Sequence, residues 1–176
     1  MVGAGLALAL VWSPAEAQQG TWELGIDGGF VVTSPDIDGA DSLFDVSLPF
    51  QFLRVGTFVS DQLSIEPTLA FNRMDFGGDD SMTTLSLLAT GLYHFGADRT
   101  QRQFYLQAGA GLDYIGFSDE DGITQWLAGV GGGVKLPVMD HLALRLGALY
   151  LRSFENDDMW AANRFRGQVG VSVFTH

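Results

Sequence analysis

Few residues of this sequence could do acid–base or nucleophilic chemistry. The chain has three histidines, His94, His141 and His176, and no cysteine, which excludes a thiolate nucleophile and a cysteine metal site. Acyl-transfer chemistry would require a serine and an acid beside a histidine, and none of the three has both at convincing positions. For His94 and His141, which flank short connections, we expect a solvated or interfacial imidazole. The sequence therefore predicts no enzyme and no catalytic residue.

Two other motifs have the residue types of ligand-binding loops. The stretches 79–80 and 118–122, which read DD and SDEDG, carry the oxygen ligands that Ca²⁺ prefers, but their spacing is not that of an EF-hand loop. The glycine-rich stretch 129–133, GVGGG, lacks the Lys-Ser/Thr pair of a phosphate-binding loop. We therefore predict neither a metal site nor a cofactor site.

The elements that carry these motifs have a hydrophobic period of two, which is typical of strands. Each has 11 or more residues, whereas an ordinary strand has about 5–6. A tilted strand needs about 9–11 residues to cross the hydrocarbon of a bilayer, so the lengths favour a membrane environment. Eight such segments follow one another: 21–32, 43–59, 63–74, 82–95, 104–117, 123–136, 142–154 and 164–174.

Composition and charge restrict the function class further. Apolar residues make up 47% and charged residues 17% of the 176-residue chain, against a usual charged share of about 25%. The formal net charge of −12 is the opposite of the basic surface that nucleic-acid binding needs. After the N-terminus, no apolar run is as long as a transmembrane helix. The length suits a single domain.

Residues 1–17, MVGAGLALALVWSPAEA, are predicted to be a secretory signal peptide. An apolar run extends from Val2 to Trp12, Pro14 interrupts it, and residues 15–17 fit an A-x-A cleavage motif. Cleavage after Ala17 would leave residues 18–176 as the exported domain. The sequence thus predicts transport out of the cytoplasm.

An even number of antiparallel strands can close into a barrel without edges, and two kinds of barrel fit the pattern. Apolar side chains face inward in a soluble, ligand-binding barrel of the periplasm and outward in a membrane barrel. The second kind is favoured because the polar faces are rich in Gly, Ala, Ser and Gln and poor in charge. Such residues suit the narrow interior of an eight-stranded barrel. We predict an all-β, eight-stranded antiparallel up-and-down transmembrane β-barrel.

The face assignment gives three sets of expected positions. In the second segment, the outer face should carry Phe44, Val46, Leu48, Phe50 and Phe52, with a slip of phase near Leu53. Charged inner residues would each cost several kcal/mol if unpaired, so we predict a lumen charge network of Glu23, Asp27, Glu66 and Asp113 with Lys135, Arg145 and Arg166. Aromatic residues near strand ends predict a girdle at the lipid interface: Trp22, Tyr93, Phe95, Phe104, Tyr114, Trp126 and Tyr150.

These features resemble the small eight-stranded outer-membrane barrels, the OmpA/OmpX-like β-barrel family. The resemblance covers about residues 21–174 and includes two motif-like pieces, LRVGTFVSDQLSIEPTLAF (53–71) and YLQAGAGLDY (105–114). It implies that both termini lie in the periplasm and that the outer-membrane assembly machinery inserts the chain by reading an aromatic residue near its C-terminal end. It also implies contact with membrane lipids, which can include lipopolysaccharide.

Four connections would then be extracellular, and they hold eleven of the 21 acidic residues. Near this outer rim, Arg73, Arg152 and Arg164 are expected to pair with lipid phosphates or with neighbouring acids. We expect a monomeric integral outer-membrane protein with a plugged lumen and a role in envelope integrity or surface interaction. A narrow pore for ions or small solutes and a soluble periplasmic ligand-binding barrel are the alternatives.

Overall fold

The computed structural model describes residues 20–36, 39, 41–77, 80–96, 98, 100–117, 120–156 and 159–175. The predicted signal peptide, His176 and parts of the acidic connections lie outside these residues. The strands are β1 Trp22–Pro35, β2 Leu43–Phe58, β3 Leu63–Gly77, β4 Asp80–Phe95, β5 Gln103–Phe117, β6 Glu120–Met139, β7 Leu142–Ser153 and β8 Ala162–Phe174.

Each strand pairs antiparallel with the next one along the chain, and β8 pairs with β1 to close the barrel. At the closing seam the register runs from Glu23 opposite Phe174 to Pro35 opposite Ala162. Closure gives every strand two neighbours, which a β segment needs where no water can pair with its backbone. The predicted fold class is therefore confirmed. Among the described residues, no helix has the length and hydropathy to cross a membrane.

Apolar side chains cover the outside of the barrel and polar side chains fill its inside. On β5, Leu106 is 57% exposed whereas the adjacent Gln107 is 5% exposed. On β8, Val171 is exposed and Ser172 is buried. On β7, the charged side chain of Arg145 is only 1% exposed. This arrangement is the reverse of a soluble barrel, so the periplasmic ligand-binding alternative, which requires an apolar interior, is wrong.

The second strand departs from the predicted alternation. Between Asp27 and Gly29 of β1, the partner on β2 changes from Phe52 to Ser47, so residues 48–51 form an irregular stretch of β2. Phe44 is exposed, but Phe52 is only 4% exposed. The expectation that Phe52 lies on the outer face is therefore wrong, because the phase changes before Phe52 and not near Leu53.

Two prolines coincide with irregular pairing around β2. Pro49 lies in the stretch 48–51, opposite the shift in register on β1. On the other side of β2, the described pairing with β3 joins Arg54 to Thr68 and then resumes at Thr57 and Ile65. Pro67 lies in this gap. Proline has no N–H to donate to a ladder, which fits both the change of register beside Pro49 and the missing pairs beside Pro67, where the register of β2 with β3 is unchanged.

The two ends of the barrel have different connections. One end, the terminal rim, contains the start of β1, the end of β8 and the connections 59–62, 96–102 and 140–141. The other end, the loop rim, contains the connections 36–42, 78–79, 118–119 and 154–161. All four predicted acidic connections therefore join strands at the loop rim.

One turn of the terminal rim is organised by Asp98. Its carboxylate accepts hydrogen bonds from the Thr100 hydroxyl at 2.6 Å and from the Thr100 backbone N–H at 2.8 Å. These bonds lower the pKa of Asp98 because they stabilise the ionised carboxylate. Local hydrogen bonds of this kind stabilise the turn, and Gln103 of β5 adds one by donating to the Gly96 carbonyl at 3.1 Å.

The outward apolar face predicts a cost for charge that depends on depth. Leu146 of β7 lies between the two ends of its strand and is 39% exposed, whereas Leu142 begins the same strand. We expect Leu146→Arg to lower the free energy of unfolding from lipid vesicles by about 2–4 kcal/mol and Leu142→Arg by about 0–1 kcal/mol. Urea titrations of the refolded variants measure both values. Equal costs at the two positions would contradict the assigned membrane depth.

Candidate functional site

The polar centre of the lumen is built around Arg54 of β2. Its Nη1 donates to Glu66 at 2.9 Å and to Glu23 at 3.3 Å. Its Nη2 donates to Asp27 at 2.9 Å and to the Ser172 hydroxyl at 3.2 Å, and its Nε also donates to Asp27. One guanidinium thus joins three carboxylates, which come from β1 and β3, and uses the fork geometry that only arginine offers.

Two more cations complete this centre. The Lys135 ammonium of β6 donates to Glu23 at 2.5 Å. Nη1 of Arg145, on β7, donates to the two carboxylate oxygens of Glu66 at 2.6 and 2.9 Å. The remaining nitrogens of Arg145 donate to the Tyr105 hydroxyl at 2.8 Å and to the Gln107 side-chain carbonyl at 3.0 Å.

We call these six side chains the lumen network: Glu23, Asp27, Glu66, Arg54, Lys135 and Arg145. Three carboxylates face three cations, and their side chains are at most 3% exposed. Because the formal charges cancel and each carboxylate accepts charge-assisted hydrogen bonds, burial is compatible with ionisation. The structure brings five of the seven sequence-predicted charged residues into this one cluster.

Arg54 is the functional residue that the sequence analysis missed. Strict alternation from Phe44 to Phe52 places residue 54 on the outer face, where an arginine has no obvious role. The irregular stretch 48–51 moves it to the lumen. Pro49 in mid-segment was the available signal, since a proline inside a strand marks a bulge or an edge. The slip of phase that was expected near Leu53 also turns residue 54 inward, so Arg54 could have been assigned to the lumen from the sequence.

Two glycines make room for the centre of the network. A Cβ atom at Gly25 would overlap the Arg54 guanidinium, and one at Gly170 would overlap the Asp27 carboxylate. Gly25 pairs directly with Arg54 across β1 and β2, and Gly170 pairs with Asp27 across β8 and β1. Close approach of side chains inside a narrow barrel therefore explains why small residues occupy these inner positions.

Aromatic rings adjoin the network on the side of the terminal rim. Phe58, Ala143 and Phe174 form a buried apolar cluster. The Lys135 ammonium lies 5.4 Å from the centre of the Phe58 ring and 5.8 Å from that of Phe174, within the range of cation–π attraction. An apolar layer therefore fills the lumen between the ion pairs and the terminal rim.

His94 belongs to this end of the lumen and is fully buried. Its Nε2 and the Ser64 hydroxyl form a hydrogen bond of 3.0 Å, and its ring lies 4.9 Å from that of Phe58. The expectation of a solvated or interfacial imidazole at His94 is therefore wrong. His94 falls on the inner face because it is adjacent to the outward Tyr93 and Phe95 in a regular strand.

The loop-rim half of the lumen has a second apolar layer and a second ion pair. Four leucines from β4, β6 and β7 form a buried cluster: Leu88, Leu127, Leu149 and Leu151. Asp113 pairs with Arg164 rather than with Lys135, Arg145 or Arg166. Arg164 therefore faces the lumen, and of its two expected partners, lipid phosphates or neighbouring acids, it pairs with an acid. Arg166, which was expected to join the charge network, is buried but forms no salt bridge among the described residues, and its guanidinium lies 4.4 Å from the centre of the Phe52 ring.

The described part of the connection 154–161 is tied to the barrel mouth. Gln125 donates to the Trp160 carbonyl at 2.9 Å, and the side chain of Asn156 donates to the Thr124 carbonyl at 2.8 Å. Outside the mouth, Arg152 pairs with Asp36 at 2.6 Å, and both side chains are substantially exposed. The loop rim thus has contacts between β6 and the connection after β7, and between β7 and the connection after β1.

All seven sequence-predicted interface aromatics are exposed or partly exposed on the outside of the barrel. Tyr93 and Phe95 make an edge-to-face contact at 5.2 Å. The described loop-rim half adds exposed rings that the sequence analysis did not select, among them Phe154 and Trp160. The assigned rings divide between the terminal rim (Trp22, Tyr93, Phe95, Phe104) and the loop-rim half (Tyr114, Trp126, Tyr150).

The described side chains offer no group of three or more His, Asp or Glu residues that could hold a metal ion. The stretch 118–122 and Asp79 lie largely outside the side chains that the structure describes. Within the lumen, every carboxylate of the network already faces a cation. The arrangement is therefore suited to holding the barrel interior together by ion pairs.

Removal of one charge from the lumen network is expected to be far more costly than removal of an exposed charge. Glu66→Gln leaves Arg54 and Arg145 with an uncompensated buried charge, so we expect a loss of about 3–5 kcal/mol in the free energy of unfolding. The matched control is Asp36→Asn, which breaks the exposed pair with Arg152 and should cost about 0–1 kcal/mol. Urea unfolding from vesicles measures both.

The double variant Glu66→Gln with Arg145→Gln distinguishes charge from shape. It restores the balance of charge in the network, so it should be less destabilised than the sum of the two single variants. A strictly additive loss would contradict a coupled ion-pair network and would indicate that the side chains act by packing alone.

Solved structures of small outer-membrane barrels resemble this fold. Neisserial surface protein A matches with a TM-score of 0.69 and 17% identity, over 88% of this chain and 99% of that one. Ail, the attachment invasion locus protein of Yersinia pestis, matches with a TM-score of 0.58 and 16% identity, over 89% of this chain and 99% of that one. OprG from Pseudomonas aeruginosa matches with a TM-score of 0.56 and 16% identity, over 90% of this chain and 97% of that one. At these identities the likeness shows the fold.

Two comparisons of the sequence itself have different outcomes. No curated protein matches the chain. The family model described as outer membrane protein beta-barrel domain matches residues 4–172, which is nearly the whole chain and includes all eight strands except the last residues of β8. The chain therefore belongs to the outer membrane protein β-barrel domain family.

Proposed function

We propose that the protein is a monomeric, non-catalytic outer-membrane barrel with a closed lumen and a role in envelope integrity or surface interaction. Export by residues 1–17 and insertion by the outer-membrane assembly machinery are part of this proposal. Family membership supports the location. The observation that carries the closed lumen is the lumen network, in which Arg54 joins carboxylates from two strands and Glu66 joins Arg54 to Arg145.

Three successive layers of side chains inside the lumen support a closed lumen rather than a pore. The apolar cluster of Phe58, Ala143 and Phe174 lies towards the terminal rim, the lumen network follows, and the four-leucine cluster lies towards the loop rim. An ion that entered would have to displace buried ion pairs and then cross two apolar layers, both of which are costly. Eight strands leave little width in which to avoid these layers.

A conductance measurement in a planar bilayer tests whether the lumen is closed. The full chain, refolded in detergent and added to a planar bilayer, should give no stepwise current in 1 M KCl, because the ion pairs and apolar layers fill the interior. A porin in the same apparatus provides the positive control, and heat-modifiable migration on a gel confirms that the added protein is folded. Regular single-channel steps from folded protein would favour the narrow-pore alternative.

The loop rim supports a surface role through its charge. The loop-rim connections carry eight of the 21 acids, the adjoining strand ends add Asp80, Glu120 and Asp121, and the net charge of the chain is −12. Asp36, at the end of β1, is 59% exposed even though it pairs with Arg152. One solved structure of Ail holds the heparin analogue sucrose octasulfate. An acidic rim would repel such a polyanion, so we propose that cationic surfaces are the partners of this chain.

Binding of intact cells that display the protein tests this charge preference. Such cells should adhere to a polylysine-coated surface more than cells without the protein, and they should not adhere to heparin. Adhesion should decrease as salt is raised, because surface charges are screened. Asp41→Asn with Glu155→Gln, both in loop-rim connections, should weaken adhesion.

The matched control changes the same number of charges at the opposite rim. Asp61→Asn with Asp140→Asn lie in terminal-rim connections and should leave adhesion unchanged. Binding to heparin, or equal loss from the two pairs of substitutions, would contradict a surface role for the acidic loop rim.

A further inference from the structure

A small cavity remains in the lumen between the lumen network and the loop rim. Its lining includes three guanidinium groups, those of Arg54, Arg145 and Arg166, and one carboxylate, that of Glu66. The space for the centre of a water-sized sphere is about 10 Å³, which is room for about one water molecule or one small ion. Arg54 and Arg145 pair with carboxylates of the lumen network, so among the described residues Arg166 is the guanidinium of this lining whose positive charge has no ion pair.

Two buried hydrogen-bond donors in this lining have no acceptor. Within the part of the chain that the structure describes, Nε2 of Gln107 and Nε of Arg166 lack a hydrogen-bond partner. Both residues line the cavity, and they are only 5% and 7% exposed. The amide carbonyl of Gln107 accepts from Arg145, which turns the amide nitrogen away from that guanidinium.

The other groups of the lining do not supply the missing acceptor. Glu66 is already the acceptor for Arg54 and Arg145. The Thr90 hydroxyl donates to the Glu66 backbone carbonyl, and its oxygen, like the side-chain oxygens of Thr68 and Gln168, accepts from neither Gln107 Nε2 nor Arg166 Nε. Arginine offers no acceptor and keeps its charge. A buried donor without an acceptor is rare in folded proteins, so the combination of two such donors and excess positive charge calls for an anionic acceptor.

We propose that this cavity holds one small monovalent anion of the size of chloride or bromide, bound by Gln107 and Arg166 among the three guanidiniums. A water molecule would satisfy the donors but would leave the charge uncompensated in a surrounding of low polarity. Tetrahedral anions such as sulfate are too large for the space. The inference rests on the lumen geometry and is independent of the surface role proposed above.

Anion dependence of stability tests this site. The full chain, refolded into neutral lipid vesicles, is unfolded with urea in potassium chloride and in potassium gluconate of equal ionic strength. Binding to the folded state alone raises stability with anion concentration, so the urea midpoint should rise with chloride. The same midpoint in both salts would overturn the proposal.

Matched arginine variants separate the site from general salt effects. Arg166→Gln should abolish the difference between chloride and gluconate, whereas Arg152→Gln, which lies outside the lumen, should preserve it. Gln107→Met removes the second donor and should weaken the difference in urea midpoint between chloride and gluconate. If Arg166→Gln does not fold, Gln107→Met takes its place in the test. An undiminished chloride effect in the lumen variants would mean that the anion acts elsewhere and would overturn the proposal.

A crystal of the wild-type chain grown in sodium bromide locates the ion directly. An anomalous peak within hydrogen-bond distance of Arg166 Nε and Gln107 Nε2 is the expected result. Bromide found only at the protein surface, or a peak in the cavity without any chloride effect on the midpoint, would identify an adventitious ion only and would overturn the proposal.

Discussion

The structure depends on the requirement that every backbone N–H and C=O in hydrocarbon finds its partner within the chain. A sheet of eight strands meets this requirement only by closing, and β1 does so by pairing with both β2 and β8. Closure with eight strands fixes a narrow interior. The narrow interior then decides which side chains the inner face can hold.

Charge in such an interior is tolerable only when it is paired at close range. The lumen network satisfies this condition because its six side chains come from β1, β2, β3, β6 and β7 and meet across the barrel. A buried ion pair is weak evidence for net stabilisation, since desolvation offsets much of the attraction. It does define one arrangement of the strands, because a shift in register would separate charges that have no other partners.

The solved barrels show the fold of this chain, and the family match assigns it to the outer-membrane barrels. Neisserial surface protein A, Ail and OprG share the barrel with this chain at 16–17% identity. Barrels of this size present strands to lipid and connections to water, so connections can diverge without disturbing the wall. The acidic loop rim of this chain is the part in which a role of its own would be encoded.

The sequence by itself determined the eight strands, their order along the chain and the faces of the regular ones. Alternation is a local property: once Leu106 is outward, Gln107 must be inward, and the same holds for Tyr93 and His94. The burial of His94 was accessible from this rule, but its place beside a connection suggested solvent instead. Composition of the polar faces was sufficient to distinguish a membrane barrel from a soluble one.

Only the tertiary structure decided which inner charges meet. Arg54 and Phe52 reach the lumen because the stretch 48–51 changes the phase of β2, and the extent of such a bulge depends on how β1 and β3 pair with it. Asp113 selects Arg164 because the two side chains face each other across the closed lumen, far apart in the chain. Distances across a barrel follow from strand tilt and register, and alternation along a single strand carries no information about either.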